Sequence, residues 1–201
     1  MNTEFTISSF NFVDILPLLE EGSPLIFPTD TLPALGIIPK YSNKLWDIKK
    51  RPLSKPLILL GSDKEQLFEF ILPAAKEDAL KMAHEYWPGA LTMVLPGIGI
   101  KKDLLNKNSN TIGMRVPNNY LARELLRESG PLATTSANLS GQEPVLTAEE
   151  AFSEFPKVPL LGPIPWPKPS GMASTVIEWD SPGEWKILRK GAIFSEDIEI
   201  K

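Results

Sequence analysis

The sequence predicts an α/β fold built on a mixed parallel and antiparallel sheet flanked by helices. Short apolar runs bounded by turn residues alternate with amphipathic stretches at helical spacing along most of the chain, the alternation expected of βα units. Near the end, the strand-like runs Thr175 to Trp179 and Lys186 to Arg189 lie too close together for a helical crossover, so they favour antiparallel pairing. No internal repeat, low-complexity tract or break in composition divides the chain, which reads as a single domain over residues 1–201.

Taken in order, Phe12, Ile15, Leu16 and Leu19 fall at helical spacing and Gly22 can close that helix, although Pro17 weakens its interior. Leu25 to Phe27 is a short apolar strand running into Pro28-Thr-Asp-Thr31, and Leu35 to Ile38 reads as a second strand. Ser42 is placed to cap a helix carrying Leu45 and Ile48 that stops near Arg51-Pro52, and Leu57 to Leu60 has the run of a buried strand. Ser62 and Glu65 form a capping-box pattern ahead of Leu67 and Phe70. A helix then occupies Ala75 to Tyr86, and the strand Leu91 to Leu95 follows Trp87-Pro-Gly89. Gly97-Ile-Gly99 is incomplete as a dinucleotide fingerprint and reads as a hairpin turn. Thr111 to Val116 is a strand, Leu121 to Glu128 a helix closed by Gly130, and Leu132 to Thr135 a strand. Thr147 and Glu150 propose one more capped helix. Six of the 20 prolines crowd between Pro156 and Pro169, which reads as a stiff extended loop and a candidate lid.

Composition narrows the chemistry. With 42% hydrophobic and 23% charged residues the chain is ordinary for a globular protein. No apolar run approaches the roughly 20 residues that cross a bilayer, and no signal-like start is present, so a cytoplasmic location and no membrane partner are expected. Zero cysteines exclude disulfides, thiolate zinc sites and a cysteine nucleophile, and His84, the single histidine, would have to serve any serine triad. It has no neighbouring serine or acid pattern beyond Glu85 and reads as a packing or surface residue. The net charge of −4, from 21 basic and 25 acidic residues, offers no global attraction to nucleic acid, so any RNA contact is local.

Several segments could carry chemistry. Pro28-Thr-Asp-Thr31 places two hydroxyls and a carboxylate past an apolar strand, where open α/β sheets hold ligands; taken alone it reads first as a capped turn. Lys49-Lys-Arg51 with Lys55 gathers four cations at a helix end, as a phosphate site or as a solvated terminus favoured by the helix dipole. Arg115 emerges from an apolar strand and needs a partner, either a ligand anion or an internal Asp or Glu. Ser136-Ala-Asn138-Leu-Ser140-Gly141 is a small, hydroxyl-rich turn able to present backbone N–H groups to phosphate, and no Walker loop occurs anywhere. Gly171-Met-Ala-Ser174-Thr175 and Arg189-Lys-Gly191 flank the last strands.

In this order these blocks resemble the YrdC domain family of threonylcarbamoyl-AMP synthases, across nearly the whole chain and in its short single-domain form. The matching residues are Pro28-Thr-Asp-Thr31, Lys49-Lys-Arg51-Pro52 with Lys55-Pro-Leu57, Trp87-Pro-Gly89, Arg115-Val-Pro117 and Ser136-Ala-Asn138-Leu-Ser140-Gly141, extended by Ser174-Thr-Val176 and Ile187-Leu-Arg189-Lys-Gly191. The resemblance implies a twisted sheet with a concave, positively charged face on which ATP, L-threonine and bicarbonate react. A carbamate formed on the threonine amine attacks the α-phosphorus and expels pyrophosphate. Mg²⁺ would accompany ATP, held mainly by its phosphates. The product would pass to a separate threonylcarbamoyl transferase acting on adenosine 37 of tRNAs that decode ANN codons. A carbamate is its own nucleophile, which suits a chain so poor in histidine and cysteine. Carried over by motif, Lys49, Arg51, Lys55, Ser136, Asn138, Ser140 and Arg189 would hold ATP. Thr29, Thr31, Arg115 and Ser174 would hold threonine, Arg115 clamping its carboxylate.

Two departures stand out. Pro33-Ala34 follows the Thr-rich motif where the family usually has an aromatic residue and a glycine, and Ala173 replaces an acidic residue often found before Ser174. Two other readings therefore accompany the synthase: a non-catalytic module binding double-stranded RNA or tRNA through Lys49 to Lys55, and an adenylating enzyme serving a different carbamoyl acceptor.

Overall fold

The computed structural model describes residues 9–99, 104–106 and 109–194. In chain order the elements are β1 (Ser9–Phe10), α1 (Phe12–Glu20), β2 (Leu25–Phe27), β3 (Ala34–Ile37), α2 (Asn43–Lys49), β4 (Ile58–Leu60), α3 (Lys64–Phe68) and α4 (Lys76–Tyr86). They continue with β5 (Leu91–Pro96), β6 (Thr111–Arg115), α5 (Tyr120–Ser129), β7 (Leu132–Ser136), α6 (Ala148–Glu154), β8 (Leu160–Leu161), β9 (Thr175–Ser181) and β10 (Glu184–Arg189). The strands form one sheet in the order β1-β8-β2-β3-β7-β4-β6-β5-β9-β10. β1/β8, β2/β8, β4/β6 and β5/β9 pair parallel, and β2/β3, β3/β7, β4/β7, β5/β6 and β9/β10 antiparallel, so the sheet is mixed as expected.

The two-residue period of the strands divides the core. Leu25, Phe27, Leu60, Leu132 and Leu161 point to the face covered by Ile15 and Leu19 of α1 and Ala122, Leu125 and Leu126 of α5. Ile26, Leu35, Leu59, Ala133 and Leu160 point to the other, where α2, α3, α4 and α6 pack. Ala34 and Leu60 belong to the α1/α5 face and also line the cleft into which Thr29, Arg51, Arg115 and Arg189 open, which places that cleft beside those helices on that face.

Local signals decide most element ends. Asn11 Oδ1 accepts from Asp14 N at 3.1 Å to start α1, and Gly22 closes it at φ +82°, a conformation that costs glycine little. The Thr147/Glu150 capping box is present in full at the start of α6. Four expectations need correction. Ser42 does not cap α2, because the preceding Pro39–Tyr41 turn runs straight into the helix; Ser42 already has helical φ/ψ and gives its hydroxyl to Leu104 O at 2.8 Å. The cap of α3 lies one residue later than expected: Asp63 accepts from Gln66 N, Gln66 Oε1 accepts from Ser62 N, and the helix ends before Phe70. β5 and β6 are joined by the stretch from Gly97 to Asn110, with Gly97 N donating to Asn110 O, rather than by a turn at Gly97 to Gly99. The proline-rich stretch contains β8, inserted between β1 and β2 with Leu160 and Leu161 fully buried, so it is stitched into the sheet instead of lying over it as a lid.

Candidate active site

The turn between β2 and β3 builds one wall. Thr29 Oγ1 donates to Leu32 O at 2.6 Å and accepts from Thr31 N and Leu32 N, each at 3.2 Å, closing a hydroxyl-capped turn. The turn is thus both a capped turn and part of the cleft, whose lining includes Thr29 and Thr31. Thr31 Oγ1 lies 3.1 Å from Thr29 Oγ1 and accepts from Arg115 Nη1 at 2.6 Å. Arg115 ends β6; its Nε donates to Gly89 O at 2.8 Å and its Nη2 to Asp30 Oδ1 at 2.6 Å. Asp30 Oδ1 also accepts from Asn118 N at 2.9 Å. The partner of Arg115 is therefore internal, and burial pushes its guanidinium below the ordinary value with Asp30 opposing.

The opposite wall is cationic. Lys50, at φ 50°, takes the left-handed conformation that ends α2, and this reversal sends Lys49 inward and Arg51 toward the cleft. Arg51 is held by Lys55 O (3.3 Å) and Pro56 O (2.9 Å). Arg189 donates through Nε and Nη2 to Ser174 O (3.1 and 2.9 Å) and through Nη2 to Ser174 Oγ at 3.2 Å. Among the described residues neither Arg51 nor Arg189 has a carboxylate partner. Burial lowers both below the ordinary value, and Arg189 lowers Arg51 further. Ser174 Oγ lies 2.7 Å from Thr92 Oγ1, inside the sheet.

The floor is the end of β7 and the loop after it. Lys49 is 1% exposed and lies beneath this floor, donating from Nζ to Thr135 Oγ1 (3.1 Å), Ser136 O (2.5 Å) and Ser136 Oγ (3.4 Å). Burial, then Arg51 and Lys55, push its ammonium down to about 7, with Glu154 opposing. Ser136 Oγ donates to Asn138 Oδ1 at 2.6 Å, while Asn138 Nδ2 ties down Leu139 O and Gln142 O. Leu139 N donates to Glu154 Oε1 of α6 at 3.0 Å, and Ser140 N reaches Lys49 O at 3.3 Å.

Of the residues singled out in the sequence, Thr29, Thr31, Arg51, Arg115, Ser136, Ser174 and Arg189 line one cleft, together with Pro33, Ala34 and Ala173. Lys49, Lys55, Asn138 and Ser140 stand outside that lining; Asn138 shapes the loop and Lys55 is exposed. Thr134 and Thr135 also line it and went unrecognised, although two polar residues at the end of a buried strand are a usable signal. Asp30 was singled out as the carboxylate of the turn but not as the partner of Arg115, and Thr92 was missed, because these pairings span 85 and 82 residues. His84 is exposed on α4, away from the cleft. Among the described residues no three His, Cys, Asp or Glu gather as a metal site, and no helix is long and apolar enough to cross a membrane.

The model of the family described as telomere recombination, Sua5/YciO/YrdC, matches residues 17–191. A threonylcarbamoyl-AMP synthase of Serratia proteamaculans is 36% identical over 149 residues, 72% of this chain and 79% of its own. The Bacillus subtilis protein of that name is 36% identical over 193 residues, 90% of this chain and 54% of the relative, so this chain spans about half of that longer form. The structure of P. abyssi Sua5 complexed with L-threonine superposes with TM-score 0.83 at 27% identity, over 94% of this chain and 58% of that one. E. coli YciO, at 24% identity and TM-score 0.78 over 93% of this chain and 97% of its own, shares the fold. With a match along most of its length and the motif-bearing turns gathered around one cleft, the chain belongs to the Sua5/YciO/YrdC family.

Proposed function

We propose that this chain is a threonylcarbamoyl-AMP synthase: it binds ATP, L-threonine and bicarbonate, and joins the carbamate of threonine to AMP with release of pyrophosphate, for threonylcarbamoylation of tRNA by a separate transferase. The observation that carries this reading is the pairing of Arg51 and Arg189. Two neighbouring guanidiniums, Arg51 half-buried and Arg189 at the exposed rim, which meet only neutral oxygens, call for an anionic ligand. The cleft between them offers hydroxyls, backbone groups and guanidinium N–H donors but no imidazole or thiol among its lining, which suits a reaction in which the substrate supplies the nucleophile.

The cleft volume, about 160 Å³, lies below the ~300–1,000 Å³ of drug-sized pockets and suits an amino acid, with the nucleotide extending over Ser136 toward the open side. Arg51 and Arg189 then face phosphate, Lys49 adds charge from beneath the floor, and Asn138 and Ser140 keep the loop in shape. Arg115, with two N–H groups uncommitted, meets the threonine carboxylate beside Thr29, Thr31 and Ser174. Lacking a carboxylate cluster, the described residues would leave Mg²⁺ to the ATP phosphates and water, where it supplies neutralisation of phosphate charge. RNA binding through Lys49 to Lys55 fits less well, since Lys49 is buried and Arg51 faces the cleft.

The test is pyrophosphate release from ATP with Mg²⁺ and bicarbonate, comparing L-threonine, L-serine and no amino acid. Threonine-dependent release is expected. Release with L-serine but not L-threonine would assign a different acceptor, and none with either would remove the synthase reading.

A further inference from the structure

After β7 the chain turns back on itself, and the backbone N–H groups of this loop are largely spent inside the protein. Asn138 N donates to Ser136 O at 3.0 Å and Gln142 N to Leu139 O at 3.1 Å, within the loop itself. Three further N–H groups anchor it to other elements: Ala137 N to Pro33 O (2.9 Å) in the turn between β2 and β3, Ser140 N to Lys49 O (3.3 Å) at the end of α2, and Leu139 N to Glu154 Oε1 (3.0 Å) at the end of α6. Of these anchors only the last has a side chain as its acceptor. There the choice of amino acid, not the path of the backbone, holds the loop.

Glu154 is out of place by local rules. It is the last residue of α6, where the negative end of the helix dipole disfavours a carboxylate, and among the described residues no Lys or Arg forms an ion pair with it. What it gains instead is Leu139 N. Its negative charge also helps Lys49 keep its proton against burial, Arg51 and Lys55. Lys49 in turn donates to Ser136 O and Oγ, Ser136 Oγ donates to Asn138 Oδ1, and Asn138 Nδ2 ties down Leu139 O. Leu139 is therefore held at its N–H by Glu154 and at its carbonyl by Asn138. Ser136 lines the cleft while Glu154 stands outside it. A local rule broken without a local compensation marks a residue kept for the site.

Resting on the synthase reading, we propose that Glu154 is a positioning residue for nucleotide binding: by holding Leu139 N it fixes the loop from Ser136 to Gln142 in the shape over which ATP lies, touching neither substrate itself. That role separates the two substrates, because the loop borders the nucleotide end of the cleft while L-threonine lies against Arg115.

The experiment measures the affinities of Mg·ATP and of L-threonine separately, by calorimetry, on wild type, Glu154→Met and Glu154→Gln, with a thermal melt of each. Glu154→Met keeps the length of the side chain and removes the acceptor, so ATP affinity is expected to fall about 10-fold, the scale of a hydrogen bond to a charged group, with L-threonine affinity unchanged. Glu154→Gln keeps an oxygen within reach of Leu139 N and recovers most of that loss. Should Glu154→Met not fold, Glu154→Asp, which keeps the charge but shortens the reach, is expected to show the same ATP-selective loss. ATP affinity equal to wild type in folded Glu154→Met or Glu154→Asp overturns the proposal even if Tm falls, since Glu154 is then a structural support alone. Equal losses for ATP and L-threonine overturn it as a general fault, and no recovery in Glu154→Gln overturns it in favour of charge alone. Failure of the wild type to bind Mg·ATP overturns the synthase reading and the proposal with it.

Discussion

At the residue scale the least ordinary group is Lys49, a cation 1% exposed under the cleft floor. Its three oxygen partners replace water only in part, and the two nearby cations outweigh Glu154, so its proton is held only up to about 7 against an ordinary 10.5. In the unfolded chain the lysine keeps its proton to the ordinary value. Between about 7 and 10.5 the unfolded state therefore binds more protons, and the stability of the fold rises with pH through that window. Below it the charged, buried lysine weighs on the folded state in full. Lys49→Met is accordingly expected to be more stable than wild type at acid pH, with the difference shrinking toward alkaline pH. Thermal melts across the window check this, and parallel melting curves for the two proteins at every pH would contradict it. Lys49 was legible as a phosphate-directed cation in the sequence, but its depth was not, because burial comes from β7 and α6, about 85 and 105 residues further along.

At the scale of elements, the segment after β10 depends on a clasp that the sequence did not announce. Thr175 Oγ1, fully buried at the start of β9, donates to Ile193 O at 2.6 Å and accepts from Gly191 N and Ile193 N, each at 3.1 Å. Gly191 packs so closely that a Cβ there would meet Ala173 O at 2.3 Å. Together they press the Arg189 end of β10 against Ser174, which aims the Arg189 fork at the cleft. Thr175→Val leaves three half-buried backbone groups, Gly191 N, Ile193 N and Ile193 O, without that partner, an expected loss of about 1–3 kcal/mol and of several degrees in Tm. Because the fault lies next to Arg189, KM for ATP should rise as well. An ATP KM equal to wild type would show that the clasp does not position Arg189. The periodic helices, the Thr147/Glu150 box and most strands were readable, since those signals sit within a few neighbouring residues. The caps of α2 and α3 were misplaced because one depends on a preceding 3-10 turn and the other on a choice between adjacent polar residues.

For the whole molecule, the chain from Pro156 to Pro169 is anchored by β8, which pairs with β1 through Leu160 and Leu161 and with β2 through Leu160. Hydrogen exchange should therefore find the Leu160 and Leu161 amides protected to a degree close to the central strands, with and without ATP and threonine. Fast exchange that slows on adding ligands would restore the lid reading. The net charge of −4 coexists with a cationic cleft, which concentrates positive potential where anionic substrates enter and leaves the remaining surface acidic.

The sequence by itself determined the α/β class, the mixed sheet, the placement of most helices and strands, and the motif residues Thr29, Thr31, Arg51, Arg115, Ser136, Ser174 and Arg189 of the cleft. These follow from periodicity, from side-chain chemistry and from ordered motifs, all of which are local in the chain. Only the tertiary structure decided that Arg115 belongs to Asp30, that Lys49 lies beneath the floor, that Thr92 and Thr175 buttress Ser174 and the Arg189 segment, and that β8 closes a gap in the sheet. Each of those outcomes is a pairing across long sequence separation, where the chain's register in the sheet chooses the partner and burial raises the cost of leaving a polar group without one.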